Sequence, residues 1–304
     1  MRIFSGTGNM PLTHDVCKLL DEPLLDTRVE RFSDGEPDIE LMKTARGYHA
    51  LIMQSLSHPF AGNLMDTAMM VQAAHLNGAK NITAILYYYG SSRQDRRFED
   101  KRTAITAKLV ADILYMAGAR QMITVDIHNP ATLGFFPGPF RNVPTTKLFA
   151  HDIRKNYDLG NAIILSPDAG GVERVKALAE ELGLDWVVCY KKRDKANSIK
   201  EMRLIGDIAD KDVIVVDDIA DTCGTLVKCE EILDKGKAKS AVFYGTHGVL
   251  SGNAIHNIAQ TSFSEIVMTD TILHPEADEK IPNLRRLSIA PFLAEGIRRS
   301  TAER

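Results

Sequence analysis

The residues best placed to do chemistry lie in Val213–Thr225, VIVVDDIADTCGT. Val213 to Val216 is a short apolar, β-branched run of the kind that forms a strand buried on both faces. Two carboxylates, Asp217 and Asp218, stand at its end. A turn of small and hydroxyl residues follows: Asp221, Thr222, Cys223, Gly224 and Thr225. Leu226, Cys229 and Leu233 then recur at helical spacing until Gly236. A turn between a strand and a helix start presents successive backbone N–H groups to an anion. The Thr222 and Thr225 hydroxyls add donors, and Gly224 lets the backbone come close. The two aspartates would repel a phosphate but suit a polyol, or a metal ion beside it. A phosphate a few atoms from a vicinal diol is the outline of a ribose 5-phosphate. Read blandly, the same residues are only strand-end caps and turn formers.

Further polar groups follow other apolar runs. Ser166-Pro167-Asp168-Ala169-Gly170-Gly171 comes after Ala162–Leu165, and its Gly-Gly pair at a helix start makes a second anion cradle, suited to a pyrophosphate, with Asp168 suited to Mg²⁺. Arg93, Arg96 and Arg97, just past Ile82–Leu86, could clamp phosphate in bidentate fashion or form a solvated loop. Asp126-Ile127-His128-Asn129 ends another run, and alternation would put Asp126 and His128 on one side. Phe32, Asp34 and Glu36 could stack on and bond a purine, though a plain turn explains them as well. Tyr190-Lys191-Lys192-Arg193 opens a charged connection that is either an exposed hairpin tip or a lid carrying Lys191 and Arg193 over transferring phosphates. Gly6-x-Gly8 lacks the third glycine of a dinucleotide fingerprint, and there is no P-loop.

These residues need a scaffold, and the chain supplies one. Apolar runs at Ala50–Met53, Ile82–Leu86, Met122–Ile127, Ala162–Leu165, Trp186–Cys189, Val213–Val216, Ala241–Tyr244 and Ile266–Met268 alternate with helical patterns. One such pattern is Ile105, Leu109, Ile113, Met116; another is Val172, Val175, Leu178, Leu182. Gly78, Gly118 and Gly236 each end a helix before a strand, predicting glycine at the position after the helix. Such alternation gives mainly parallel sheets flanked by helices, an α/β class. The 304 residues suggest two similar domains, divided near Pro144 as 1–144 and 145–304. A net charge of −3 argues against a nucleic-acid surface, and no apolar run has membrane-spanning length. Cysteines 17, 189, 223 and 229 have neither metal-ligand nor disulfide spacing, which points to a reducing, cytoplasmic setting. Cys223 has no neighbouring base in the sequence and is not expected to be a nucleophile.

The motifs FSDGE, SRQDR, VDIHN, SPDAGG, the KKR loop and VDDIADTCGT, in this order, resemble the ribose-phosphate pyrophosphokinase family from about Ile3 to Arg299. The organising stretch is similar to the type I phosphoribosyltransferase fingerprint, so the resemblance implies two domains of that type. It implies transfer of the β,γ-diphosphate of ATP to the 1-hydroxyl of ribose 5-phosphate. Asp221, Thr222, Cys223, Gly224 and Thr225 would hold the sugar phosphate, and Asp217 and Asp218 the ribose hydroxyls. Asp168, Gly170 and Gly171 would meet the diphosphate. Arg93, Gln94 and His128 would contact ATP, with His128 and Asp168 as Mg²⁺ ligands. Lys191 and Arg193 would be catalytic. Phe32, Asp34 and Glu36 would bind adenine from a neighbouring subunit of a dimer-based homo-oligomer, a hexamer in many relatives. The resemblance also puts ATP on the 1–144 side and ribose 5-phosphate on the 145–304 side. The chain departs from the pattern at Tyr190, at an extra residue within 97–102, and in ending at Arg304 before a Ser-Val-Ser tail. That tail helps build a site for ADP and phosphate in many relatives, so such regulation stays open. An ordinary phosphoribosyltransferase or a non-catalytic sugar-phosphate sensor remains as an alternative.

Overall fold

The computed structural model describes residues 1–97, 102–195 and 198–301; for residues 191–201 only the backbone is described. The chain forms two compact units. One comprises Met1–Pro144, Thr271–Leu273 and Ser288–Arg304; the other comprises Thr145–Asp270 and His274–Leu287. Residues 288–304, assigned to the second domain on sequence grounds, thus belong to the first unit.

In the first unit the elements run β1 (Arg2–Ser5), α1 (Met10–Leu20), β2 (Leu24–Leu25), β3 (Thr27–Arg31), β4 (Pro37–Leu41), β5 (His49–Gln54), α2 (Phe60–Leu76), β6 (Asn81–Leu86), α3 (Thr106–Ala117), β7 (Gln121–Val125) and β8 (Phe140–Val143). A six-stranded sheet, ordered β2-β1-β5-β6-β7-β8, is parallel throughout. The central strands are buried on both faces, as their unbroken apolar runs require. Strands β3 and β4 make a separate antiparallel hairpin. Arg31 ties it to α2, its Nη2 donating to both carboxylate oxygens of the buried Asp66 at 2.8 Å. Helix α1 starts where Asn9 caps the Leu12 N–H, with Pro11 in the first turn.

The second unit continues with α4 (Thr146–Asn156), β9 (Ala162–Ser166), α5 (Val172–Leu182), β10 (Trp186–Lys195), β11 (Ser198–Ile205), β12 (Asp212–Ala220), α6 (Gly224–Lys235), β13 (Ser240–Gly248), α7 (Ala254–Ile258), β14 (Glu265–Thr269), α8 (Pro275–Lys280) and β15 (Leu284–Leu287). Its seven-stranded sheet is ordered β11-β10-β9-β12-β13-β14-β15, and only β10–β11 is antiparallel. Val213, Ile214, Val215 and Val216 are at most 2% exposed. Full burial of such side chains stabilises by about 1.5–3 kcal/mol each.

The last helix, α9 (Ala290–Thr301), returns to the first unit. Ala290, Leu293, Ala294 and Ile297 line its buried face, which packs on α1, β7 and β8. That amphipathic stripe needs an apolar partner and finds it there, which is why the 145–304 division fails at its end.

Two local expectations also change. On α3 the buried face is Ala107, Val110, Ala111 and Leu114, while Leu109 and Met116 are 51% and 79% exposed. After α6 the left-handed residue is Lys237 (φ 55°), whereas Gly236 has φ −78°. Gly236 is needed for packing instead: a Cβ there would lie 2.7 Å from Ile208.

Candidate active site

Strand β12 does not stop at Val216. Its parallel pairing with β13 continues through Asp217↔Gly245 to Ala220↔Gly248, so both aspartates lie inside the strand. Alternation sends them to opposite faces. Asp217 is half-buried; its Oδ1 accepts the Asp218 N–H at 2.9 Å. Asp218 is 4% exposed and pairs with Arg174, 3.4 Å away, from the first turn of α5. A cation in a helix's first turn opposes the dipole, and that misplacement is the signal by which sequence reading could have found Arg174.

The turn after β12 is held from the loop between β13 and α7 and from α7 itself. Leu250 N–H donates to Ala220 O at 3.0 Å, and Ser251 N–H to Asp221 O at 3.0 Å. The Ser251 hydroxyl donates to the Asp221 carboxylate, and Asn257 Nδ2 donates to Thr222 O at 2.7 Å. Neither Ser251 nor Asn257 stood out in the sequence, since each is an ordinary polar residue far along the chain. The turn's left-handed residue is Cys223 (φ 57°), and α6 begins at Gly224. A Cβ at Gly224 would meet nothing nearer than Thr222 Oγ1 at 3.9 Å, so this side of the loop is open. Burial first, then the charges of Asp221 and Asp217, push the Cys223 thiol up to about 12. A thiol held that strongly in its protonated form makes a poor nucleophile.

After β9 the chain makes a single tight turn, Ala169–Gly171, that leads into α5. Asp168 Oδ1 accepts from the N–H groups of Gly170 and Gly171 at 3.0 and 3.2 Å. The cradle expected for a diphosphate is therefore answered here by the protein's own carboxylate. Ser166 Oγ donates to Asp168 O at 2.7 Å and leaves no space for a side chain at Gly171. Arg174 lies one turn beyond, so this loop and the Asp217–Asp218 strand meet through the Arg174–Asp218 pair.

In the first unit, the loops after β6 and β7 also meet. Asn129 Nδ2 donates to Asp95 Oδ2 at 2.5 Å, joining the SRQD turn to the His128 turn. Gln94 Oε1 accepts from Thr106 Oγ1 at 2.6 Å. Arg93, Gln94 and His128 are all exposed. Strand β7 ends at Val125 and Asp126 has φ 39°, so the alternation that would align Asp126 with His128 does not hold. Asp126 is instead buried and His128 exposed. Phe32, Asp34 and Glu36 occupy the β3–β4 hairpin turn, where Phe32 N–H donates to Glu36 O at 2.8 Å. Phe32 is 56% exposed there.

Lys191 and Arg193 fall in β10, opposite Met202 and Ile199 of β11. Their side chains lie outside the described residues, as do residues 98–101 of the segment 97–102 expected to carry an extra residue. His128 and Asp168 belong to different units. Among the described residues no three His, Cys, Asp or Glu side chains converge on a point that could hold a metal ion. Two cavities of the first unit, about 410 and 340 Å³, are lined by none of the residues singled out by chemistry.

A strand-loop-helix of this build, carrying two acids and a hydroxyl-rich turn at the carboxyl end of a parallel strand, defines an α/β protein of the class whose ligands bind at that edge of the sheet. Known proteins narrow the class. The family model for the N-terminal domain of ribose phosphate pyrophosphokinase matches residues 1–118, and that for the phosphoribosyl synthetase-associated domain matches 191–303. The ribose-phosphate pyrophosphokinase of Campylobacter jejuni is 44% identical over 298 residues, 98% of this chain and 95% of that one. That of Haemophilus influenzae is 41% identical over 304 residues, 100% and 96% of the two chains. The crystal structure of phosphoribosylpyrophosphate synthetase from Mycobacterium smegmatis superposes with a TM-score of 0.92 at 34% identity, covering 98% of both chains. The chain belongs to the ribose-phosphate pyrophosphokinase family.

Proposed function

We propose that the protein transfers the β,γ-diphosphate of ATP, as one group, to ribose 5-phosphate. The sugar's 1-hydroxyl oxygen attacks the β-phosphorus, the bond from the α-phosphate oxygen to that phosphorus breaks, and the hydroxyl proton is released. The products are phosphoribosyl pyrophosphate and AMP, the former a precursor for nucleotide biosynthesis. The observation that carries this reading is the β12–α6 loop in a chain alike along its whole length to ribose-phosphate pyrophosphokinases. The test is incubation with ATP, Mg²⁺ and ribose 5-phosphate. AMP release that requires the sugar is expected; ADP as the product, or sugar-independent hydrolysis, would refute the assignment.

The site follows from the loops. Asp221 to Thr225 hold the 5-phosphate, and Asp217 and Asp218 serve the ribose side. Gly170 and Gly171 face the diphosphate. Arg93, Gln94 and His128 serve ATP, and Lys191 and Arg193 stabilise charge on the transferring group. Transfer of this kind depends on positioning and charge neutralisation more than on covalent catalysis. The donor set suits Mg²⁺, which is commonly held by one or two protein groups plus substrate phosphates rather than by a protein cage. His128 would be a ligand for Mg²⁺ on the ATP phosphates and Asp168 one at the diphosphate loop, and the metal would neutralise phosphate charge.

Self-association is part of the proposal. Phe32 is exposed at a hairpin tip, and α3 presents Leu109 and Met116 to solvent, apolar surface that a neighbouring subunit could cover. No helix among the described residues is long and apolar enough to cross a membrane, and the four cysteines form no disulfide. The free thiols are in keeping with a cytoplasmic setting.

A further inference from the structure

We propose that Asn129 is a positioning residue that clips the Arg93–Gln94 turn to the His128 turn and so fixes the geometry of the ATP-facing edge. The inference rests on the reading above that those loops serve ATP. Strands β6 and β7 pair only as far as Leu86↔Thr124. Beyond that point the backbone ladder no longer sets the spacing of the two loops, and side chains must do so.

Asn129 meets that need with both ends of its amide. Its Nδ2 donates to Asp95 Oδ2 at 2.5 Å, and its Oδ1 accepts the Ala131 N–H at 3.0 Å. The second bond caps the turn that follows His128, so the side chain is anchored to its own loop before it reaches across. On the far side Asp95 directly follows Gln94, whose backbone and amide are held by three further bonds. Gln94 N–H donates to Ser91 O at 2.9 Å, and Gln94 O accepts from Ala107 N–H at 3.2 Å. Thr106 Oγ1 donates to Gln94 Oε1 at 2.6 Å. Asp95 and Asn129 are both half-buried. A hydrogen bond to a carboxylate is stronger than a neutral one, and partial burial shields it from water.

Asn129→Ala is expected to raise the KM for ATP about tenfold, the usual scale for losing one charge-assisted hydrogen bond. The KM for ribose 5-phosphate should stay within about twofold, because its loops belong to the other unit. Asn129→Asp sets two carboxylates against each other and should be worse than Asn129→Ala. The double variant Asp95→Asn/Asn129→Asp exchanges donor and acceptor while keeping the Ala131 cap, and should restore the KM for ATP to within about threefold. A merely structural contact would lower thermal stability without this split between substrates. An unchanged KM for ATP in Asn129→Ala, a parallel rise for both substrates, or failure of the double variant to recover would overturn the clip. Arg93→Ala separates the two levels. If it raises the KM for ATP while Asn129→Ala is silent, the clip alone is wrong; if Arg93→Ala leaves that KM unchanged, the reading beneath it falls too.

Discussion

The Arg174–Asp218 pair offers the sharpest test of how the second unit is held. Arg174 and Asp218 keep only 15% and 6% of their side chains exposed, so neither charge is well solvated. Arg174→Met retains much of the aliphatic bulk and removes the cation. Asp218 is then a buried carboxylate without its guanidinium. Breaking a buried pair in this one-sided way costs about 3–5 kcal/mol. The 3.4 Å separation is long for a tight contact, so the lower figure, about 3 kcal/mol, is expected. At about 2–4 °C per kcal/mol for a unit of this size, that is a fall of about 6–12 °C in Tm. The chain's single tryptophan, Trp186, sits at the start of β10 beside β9 and reports on this unit by fluorescence during urea unfolding. Arg174→Met/Asp218→Asn removes both charges of the pair and should regain at least half of the loss. If Arg174→Met unfolds at the wild-type midpoint, or the double variant is no more stable than the single one, the pair is not the tie described here.

Four further outcomes are expected. Lys191→Ala should lower kcat by on the order of 10²-fold with a smaller change in KM, since its contact would form fully only as charge develops in transfer; steady-state kinetics decide it. Phe32→Ala should raise the KM for ATP and leave that for ribose 5-phosphate alone, and the opposite pattern would show the adenine contact to be misplaced. Cys17 and Cys223 are pushed from 9.0 to about 11 and about 12, mainly by burial. Their folded values lie above the unfolded one, so their stabilising effect is complete below pH 9.0 and is lost as pH rises through 11 and 12. Urea midpoints should therefore fall between pH 8.5 and 10.5 by more than in a Cys17→Ala/Cys223→Ala variant. Finally, Met116→Glu should shift light-scattering mass toward smaller species if α3 packs on a second copy, while an unchanged mass would exclude that face.

Much of this fold was legible from alternation alone. Each of the eight apolar runs lies in a strand or ends just beyond one, because burial on both faces leaves those residues few alternatives. What escaped notice was polar or short. Strand β15 reads LRRL, and only its pairing with β14 makes it a strand. Strands β3 and β4 carry charge on alternate positions and form a hairpin apart from either sheet. Helix α3 has two candidate apolar stripes. The bulkier one was the natural choice, yet the small side chains of Ala107 and Ala111 lie on the buried one. Neighbours settled that contest, and periodicity cannot see neighbours.

The site was legible to the same depth and for the same reason. Residue types named the loops, but they did not say which group answers each acid. Asp168 caps Gly170 and Gly171, Asp217 accepts from Asp218 N–H, Asp218 faces Arg174, and Asp221 receives Ser251. Asp168 and Asp221 thus fix the loops that carry them, and long-range partners such as Arg174 and Ser251 are invisible to local patterns. A diphosphate that takes up the N–H groups of Gly170 and Gly171 must displace the Asp168 carboxylate from them. The displaced carboxylate is then an oxygen donor next to the newly arrived negative charge, where the two repel unless a cation lies between them. On the proposed reading, the residue that closes the cradle would make its opening depend on a cation arriving with the substrate.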